Sequence, residues 1–185
     1  TIARLYLNYS DQVGAEEGND DCEFDCDPEN STFASFSGAF GGAEYNEGLY
    51  IVPTGAEDWA GYANENFSLY PLSFPEGGVI EFIAGVPSGG QVELYFKFER
   101  LPFDAEGNGE SDTEPSFVTE SVMVSGEGSY QVSIPVQDAN NTYSSYLMYI
   151  TTRDEGLKAA DIQITYPGEG GRLASSNDFS GNVNF

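Results

Sequence analysis

Ten residues, Gln91–Arg100 (QVELYFKFER), alternate so strictly that they constrain the fold more than any other stretch of the chain. Val92, Leu94, Phe96 and Phe98 fall on one side of a pleat and Glu93, Tyr95, Lys97 and Glu99 on the other, the period of two of a half-buried antiparallel strand. One face is core. The other carries an aromatic ring, a cation and carboxylates, which is the make-up of a solvated face and also the chemistry that a polyhydroxylated ligand uses.

Such a strand needs neighbours, and the rest of the chain supplies them. Val79–Val86 alternates Ile80, Phe82 and Ala84 against Glu81 and Ile83, and Pro87–Gly90 is the turn that makes it a hairpin partner of Gln91–Arg100. A second hairpin is expected from Phe117–Val124 and Ser129–Val136 around Ser125–Gly128. Thr142–Thr152 and Lys158–Tyr166 read as two further strands, and FASFSGAFGG and GLYIVP between Phe33 and Pro53 as two more, joined through Gly41–Gly48. Ile2, Leu5 and Leu7 give Thr1–Ser10 the look of a short strand. No helical period is sustained. Short strands spaced by Gly, Pro and Asn predict an all-β, antiparallel β-sandwich of jelly-roll type, its core built on Phe96, Phe98, Phe82, Ile80, Val132, Ile134, Ile162 and Ile164.

At 185 residues one domain suffices: residues 1–32 as an N-terminal strand and acidic loop of that domain, 33–167 as the sandwich, and 168–185 as a linker or tail. Six Lys+Arg stand against 31 Asp+Glu, a formal charge of −25, so the field of the chain repels phosphate and anionic membrane surfaces. Nucleic acid is not an expected partner. No apolar stretch reaches the length of a membrane span, and membrane insertion is not expected either. So large a carboxylate excess suits a secreted protein in a salty medium with divalent cations.

Cys22 and Cys26 (CEFDC) are the only cysteines. They close a small disulfide loop, which places the protein outside the cytoplasm, or hold a soft metal, for which two thiols without histidine make a poor zinc cage. Asp104, Glu106, Asn108 and Gly109 repeat the first half of a calcium loop, but Pro115 stands where its closing glutamate belongs. The absence of histidine removes Ser-His and Cys-His triads. A carboxylate pair can hydrolyse a glycosidic bond, but with 31 acidic residues any pair is arbitrary, and an enzyme is not expected.

Pro53–Pro75 (PTGAEDWAGYANENFSLYPLSFP) holds the only tryptophan among five aromatics, far more ring surface than a connection needs. Trp59 is the leading candidate for a sugar-stacking platform, its other reading being a core tryptophan under a loop. Tyr62 and Tyr95 follow, each of which also fits a cross-strand aromatic. Lys97 and Glu99 are the candidate hydrogen-bonding pair, or else a surface ion pair. Should Trp59 be core, Tyr62, Tyr70 and Tyr149 are the platforms to consider.

The succession WAGYANENFSLYPLSFPEGGVIEF, VELYFKFE, DTEPSF, SYQVSIP, YSSYLMYITTRD and AADIQI resembles the β-sandwich modules beside family 16 laminarinases of marine bacteria, themselves similar to family 4 carbohydrate-binding modules. The resemblance covers about 36–166 and departs at Cys22–Cys26 and Asp104–Gly109. It implies a non-catalytic, secreted or cell-surface module. Its implied ligand is a β-glucan, foremost β-1,3-glucan (laminarin), and its implied partner a glycoside hydrolase domain in the same parent chain. It further implies a structural calcium held partly by Asp161. The competing class is a calcium-stabilised structural or adhesive sandwich with its aromatics in the core.

Overall fold

The computed structural model describes residues 31–102 and 113–167. Thr1–Ser10, Cys22–Cys26, Asp104–Gly109 and 168–185, on which expectations were stated, lie outside them. In chain order the strands are β1 (Ser31–Phe33), β2 (Gly38–Phe40), β3 (Glu44–Asn46), β4 (Leu49–Ile51), β5 (Gly61–Ala63), β6 (Gly78–Gly85), β7 (Val92–Glu99), β8 (Ser116–Val118), β9 (Val122–Val124), β10 (Gly128–Ile134), β11 (Ser145–Ile150) and β12 (Gly156–Thr165). Among the described residues a single 3-10 turn, Phe67–Leu69, interrupts them.

The strands form two antiparallel sheets. Sheet A runs β10-β6-β12-β4-β3, with β1 also on β12; sheet B runs β2-β5-β11-β7-β8, with β9 also on β7. From β5 onward five of the seven connections carry the chain from one sheet to the other, and the expected jelly-roll sandwich is the observed fold. Strands with one apolar side each must lay those sides against something, and here the two sheets supply each other's cover. Phe82 of sheet A meets Phe96 of sheet B edge to face at 5.9 Å, and Phe98 stacks on Tyr146 at 4.5 Å. All eight residues expected in the core are buried.

The pairing differs from expectation at both hairpins. β6 and β7 are not neighbours: β6 pairs with β10 and β12, β7 with β11, β8 and β9. Pro87–Gly90 is an arch between sheets. Ser125–Gly128 likewise leads from β9 in sheet B to β10 in sheet A. Alternation says which side of a strand is buried, but a hairpin and an arch both bury that side, so the pattern cannot separate them. Phe117–Val124 is two short strands rather than one. Between them Thr119 bonds its backbone N–H to Phe96 O at 2.9 Å and accepts the Phe96 N–H on Oγ1 at 3.0 Å, keeping β7 paired across the break. The stretch from Gly41 to Gly48 holds β3, joined to β4 through Glu47 and Gly48, both left-handed at φ 47° and 80°, as a two-residue hairpin requires.

Candidate functional site

Alternation in sheet B places Tyr95, Lys97 and Glu99 on the side opposite the core residues Phe96 and Phe98; Tyr95 and Lys97 are half-buried there and Glu99 is buried. Register then determines their company. Tyr95 faces Tyr149 across β7 and β11, Lys97 faces Leu147, and Glu99 faces Ser145. On the next strands Leu147 faces Ala63, and Phe40 of β2 faces Gly61 of β5.

The first of these rows is a continuous line of rings. Tyr95 stacks on Tyr149 at 5.2 Å with 10° between planes. Tyr149 meets Phe40 edge to face at 5.9 Å. Trp59, in the loop before β5, stacks on Phe40 at 6.1 Å and 10°. Gly61 makes this possible: a Cβ there would lie 2.9 Å from Phe40 Cζ and 3.1 Å from Tyr149 Cδ1, so any side chain would displace the rings that close over it. Trp59 is 59% exposed, with one indole face on Phe40 and the other toward solvent.

Beside the ribbon lies a lower floor. Ala63 and Leu147 project outward yet are almost fully covered, and they stand apart from the core between the sheets. Lys97 extends this row to the exposed Val118. The far rim is acidic: Lys97 Nζ meets Glu99 Oε1 at 2.6 Å, and Glu65 accepts from Ser37 Oγ at 2.5 Å. Glu93, two residues before Tyr95, accepts from Thr151 Oγ1 at 2.8 Å. Burial raises the phenol pKa values of Tyr95 and Tyr149; the charge of Lys97 partly offsets this at Tyr95, while Glu99 and Tyr95 add to it at Tyr149. Both phenols therefore stay neutral hydrogen-bonding groups well into the alkaline range. Rings that present flat apolar faces, beside groups that donate and accept hydrogen bonds, are complementary to a sugar's C–H faces and hydroxyls.

The Trp59 loop is held at several points. Glu57 N–H donates to Gly41 O at 2.8 Å, and Gly41, at φ 65°, packs so tightly that a Cβ would sit 2.7 Å from Ala60 Cα. From the β11–β12 connection, Arg153 Nη2 donates to Glu57 O at 3.2 Å and lies 4.0 Å from Asp58. Asp154 accepts the Thr54 N–H at 2.8 Å and also its hydroxyl. These hydrogen bonds pull the Asp154 carboxyl below its ordinary pKa.

Of the residues singled out from sequence, Trp59, Tyr95, Lys97 and Glu99 share this outer face. Tyr62 does not. One position from Gly61 and Ala63 on β5, it turns inward and is fully buried, its hydroxyl donating to Ile51 O at 2.8 Å and lying 3.1 Å from Glu44 O, its ring edge-on to Tyr50 at 5.0 Å. The expectation of a platform at Tyr62 is corrected to a core residue that ties β5 to sheet A. Tyr70 is likewise structural: its hydroxyl accepts from Asn64 Nδ2 and Tyr146 N, both at 3.0 Å. Phe40 and Gly61 were not singled out. Their role depends on the β2–β5 register, which a three-residue strand does not reveal.

Asp161 lies on the opposite side of the molecule, at a bulge in β12 and on sheet A, with φ 51°. Among the described residues no group of three or more His, Cys, Asp or Glu side chains converges to hold a metal ion.

No family model matches the sequence, and no curated protein does. Among solved structures, the crystal structure of a family 30 carbohydrate-binding module aligns over 82% of this chain and 92% of that one, at 14% identity and a TM-score of 0.34.

Proposed function

We propose that this chain is a non-catalytic carbohydrate-binding module that receives a glycan across the strands of sheet B. The observation that carries this reading is the ribbon Trp59–Phe40–Tyr149–Tyr95, four rings in edge or face contact on an outward face, bordered by the Lys97–Glu99 pair. A sandwich that needed these aromatics only for stability would bury them, as it buries Phe96, Phe98 and Tyr146. Lys97 is neutralised by Glu99, so the ribbon holds no spare cation for a sulfated or uronic chain, and a neutral glycan fits best. The sequence resemblance favours β-1,3-glucan and a role in holding an attached glycoside hydrolase, outside the cell, against its substrate.

Affinity electrophoresis through gels containing laminarin, mixed-linkage glucan, xylan, alginate or agarose tests the reading. Retardation by laminarin that disappears in Trp59→Ala is expected. Unchanged mobility in every neutral polysaccharide would overturn it and return the chain to the class of structural or adhesive sandwiches.

A further inference from the structure

The outer face of sheet A carries a groove of about 500 Å³, lined among others by Phe33, Glu81, Ile83, Gln131, Asp161 and Gln163. Register sets out its floor. Gln131 of β10 faces Glu81 of β6, Glu81 faces Gln163 of β12, and Gln163 faces Phe33 of β1, one outward row across four strands. The neighbouring position on β6 is Ile83, beside the bulge that brings Asp161 to the groove. Two large apolar side chains therefore stand in the open around a ladder of amides and carboxylates, Phe33 at 57% exposure and Ile83 at 41%.

The ladder is partly set in place. Glu81 Oε2 accepts from Gln163 Nε2 at 3.3 Å and from Thr165 Oγ1 at 3.2 Å, which orients the Glu81 and Gln163 side chains and leaves the second oxygen of Glu81 and the amide oxygen of Gln163 as acceptors. We propose that this groove is a second saccharide-binding site, taking a short neutral oligosaccharide independently of the sheet B ribbon. Amides offer donors and acceptors together, carboxylates accept from hydroxyls, and Phe33 and Ile83 offer cover for C–H faces. The volume falls within the roughly 300–1,000 Å³ of small-ligand clefts. No lysine or arginine lines the groove, so an anionic ligand finds no counter-charge. A second copy of a chain with a net charge of −25 is repelled. A cationic peptide, the remaining rival, would use Glu81 and Asp161 but neither the amides of Gln131 and Gln163 nor the exposed Phe33.

The test is an amide-resolved NMR titration of the full chain with trisaccharides of β-1,3-glucose, β-1,4-glucose and β-1,4-xylose, and with tetralysine, in the wild type, Trp59→Ala, Phe33→Ala and Gln163→Ala. The expected result is a saturable shift of the Glu81, Gln131 and Gln163 amides with a trisaccharide. It persists in Trp59→Ala and weakens at least tenfold in Phe33→Ala and Gln163→Ala, while the Trp59 fluorescence response of the last two is unchanged. Phe33 and Gln163 face the groove from outside the core, so their truncation leaves no cavity between the sheets. Saccharide shifts confined to β2, β5, β11 and β7 would overturn this second site and leave the ribbon standing. Saturation at sheet A with a silent Trp59 would do the reverse. A response to tetralysine alone, or to none of the four probes, would also overturn it.

Discussion

Truncating Trp59 to alanine separates a binding surface from a core more sharply than any other single change. A large aromatic side chain buries about 150–250 Å² when fully covered. With 59% of Trp59 open and one indole face already on Phe40, a sugar laid on the free face covers about 70 Å², worth about 1.8 kcal/mol at ~25 cal/mol per Å². That is roughly a twentyfold loss of affinity. On the folding side, the covered remainder of the indole contributes at most about 2.5 kcal/mol, against the 5–15 kcal/mol typical of a domain, so the variant stays folded. Calorimetry with laminari-oligosaccharides measures the first quantity, and a denaturant titration followed by circular dichroism the second. As the only tryptophan, Trp59 also reports directly, with a fluorescence shift on ligand addition in the wild type. Unfolding of Trp59→Ala, with normal affinity in any fraction that remains folded, would refute the reasoning and make the indole part of the core.

Tyr62→Phe should leave glycan affinity unchanged while lowering stability by about 1 kcal/mol, because it strips a hydrogen-bond donor from the Ile51 carbonyl; urea midpoints and calorimetry on the same variant check both halves. Arg153→Gln removes a brace from the loop that carries Trp59 and should weaken binding severalfold, yet have no further effect when combined with Trp59→Ala, since residues acting through one another are not additive. Asp154 titrates below its ordinary pKa of 3.8, so the stabilisation from its bonds to Thr54 is fully present above that pH and is lost as pH falls through the lower folded-state value; Asp154→Asn should flatten the stability profile only below about pH 4. Tyr95 and Tyr149 titrate above 10, and their neutral-form stabilisation, fully present below pH 10, is lost as pH rises beyond it; glycan affinity should therefore be flat across neutral pH and fall only in strong alkali.

How much of this was legible in the sequence depends on the range of the signal. The placement of Tyr95 and Lys97 opposite Phe96 and Phe98 follows from alternation within one eight-residue strand, whereas the burial of Glu99 at its end does not. Trp59 stood out because its loop carries more ring surface than a connection needs. Tyr62 was misread because β5 is only three residues long, too short to show which of GYA points inward. Phe40 entered the site through its pairing with Gly61, 21 residues along the chain, which no local pattern encodes. The arches at Pro87–Gly90 and Ser125–Gly128 escaped for a related reason: their turn residues match those of hairpins, and only the competition among distant strands for β6 and β7 decides between the two.

The position of β12 bears on how such a chain is made. It is the last of the described strands, yet it lies inside sheet A, bonded to β6 along one edge and to β4 and β1 along the other. As the chain leaves the ribosome, sheet A stays split until Thr165 has emerged, with the apolar sides of β4 and β6 lacking the strand that joins them. Synthesis at about 5–20 residues per second leaves those edges open for several seconds. The carboxylates that give the chain its −25 charge then have a use before any ligand is met, since nascent chains that repel one another are kept from pairing their unfinished edges.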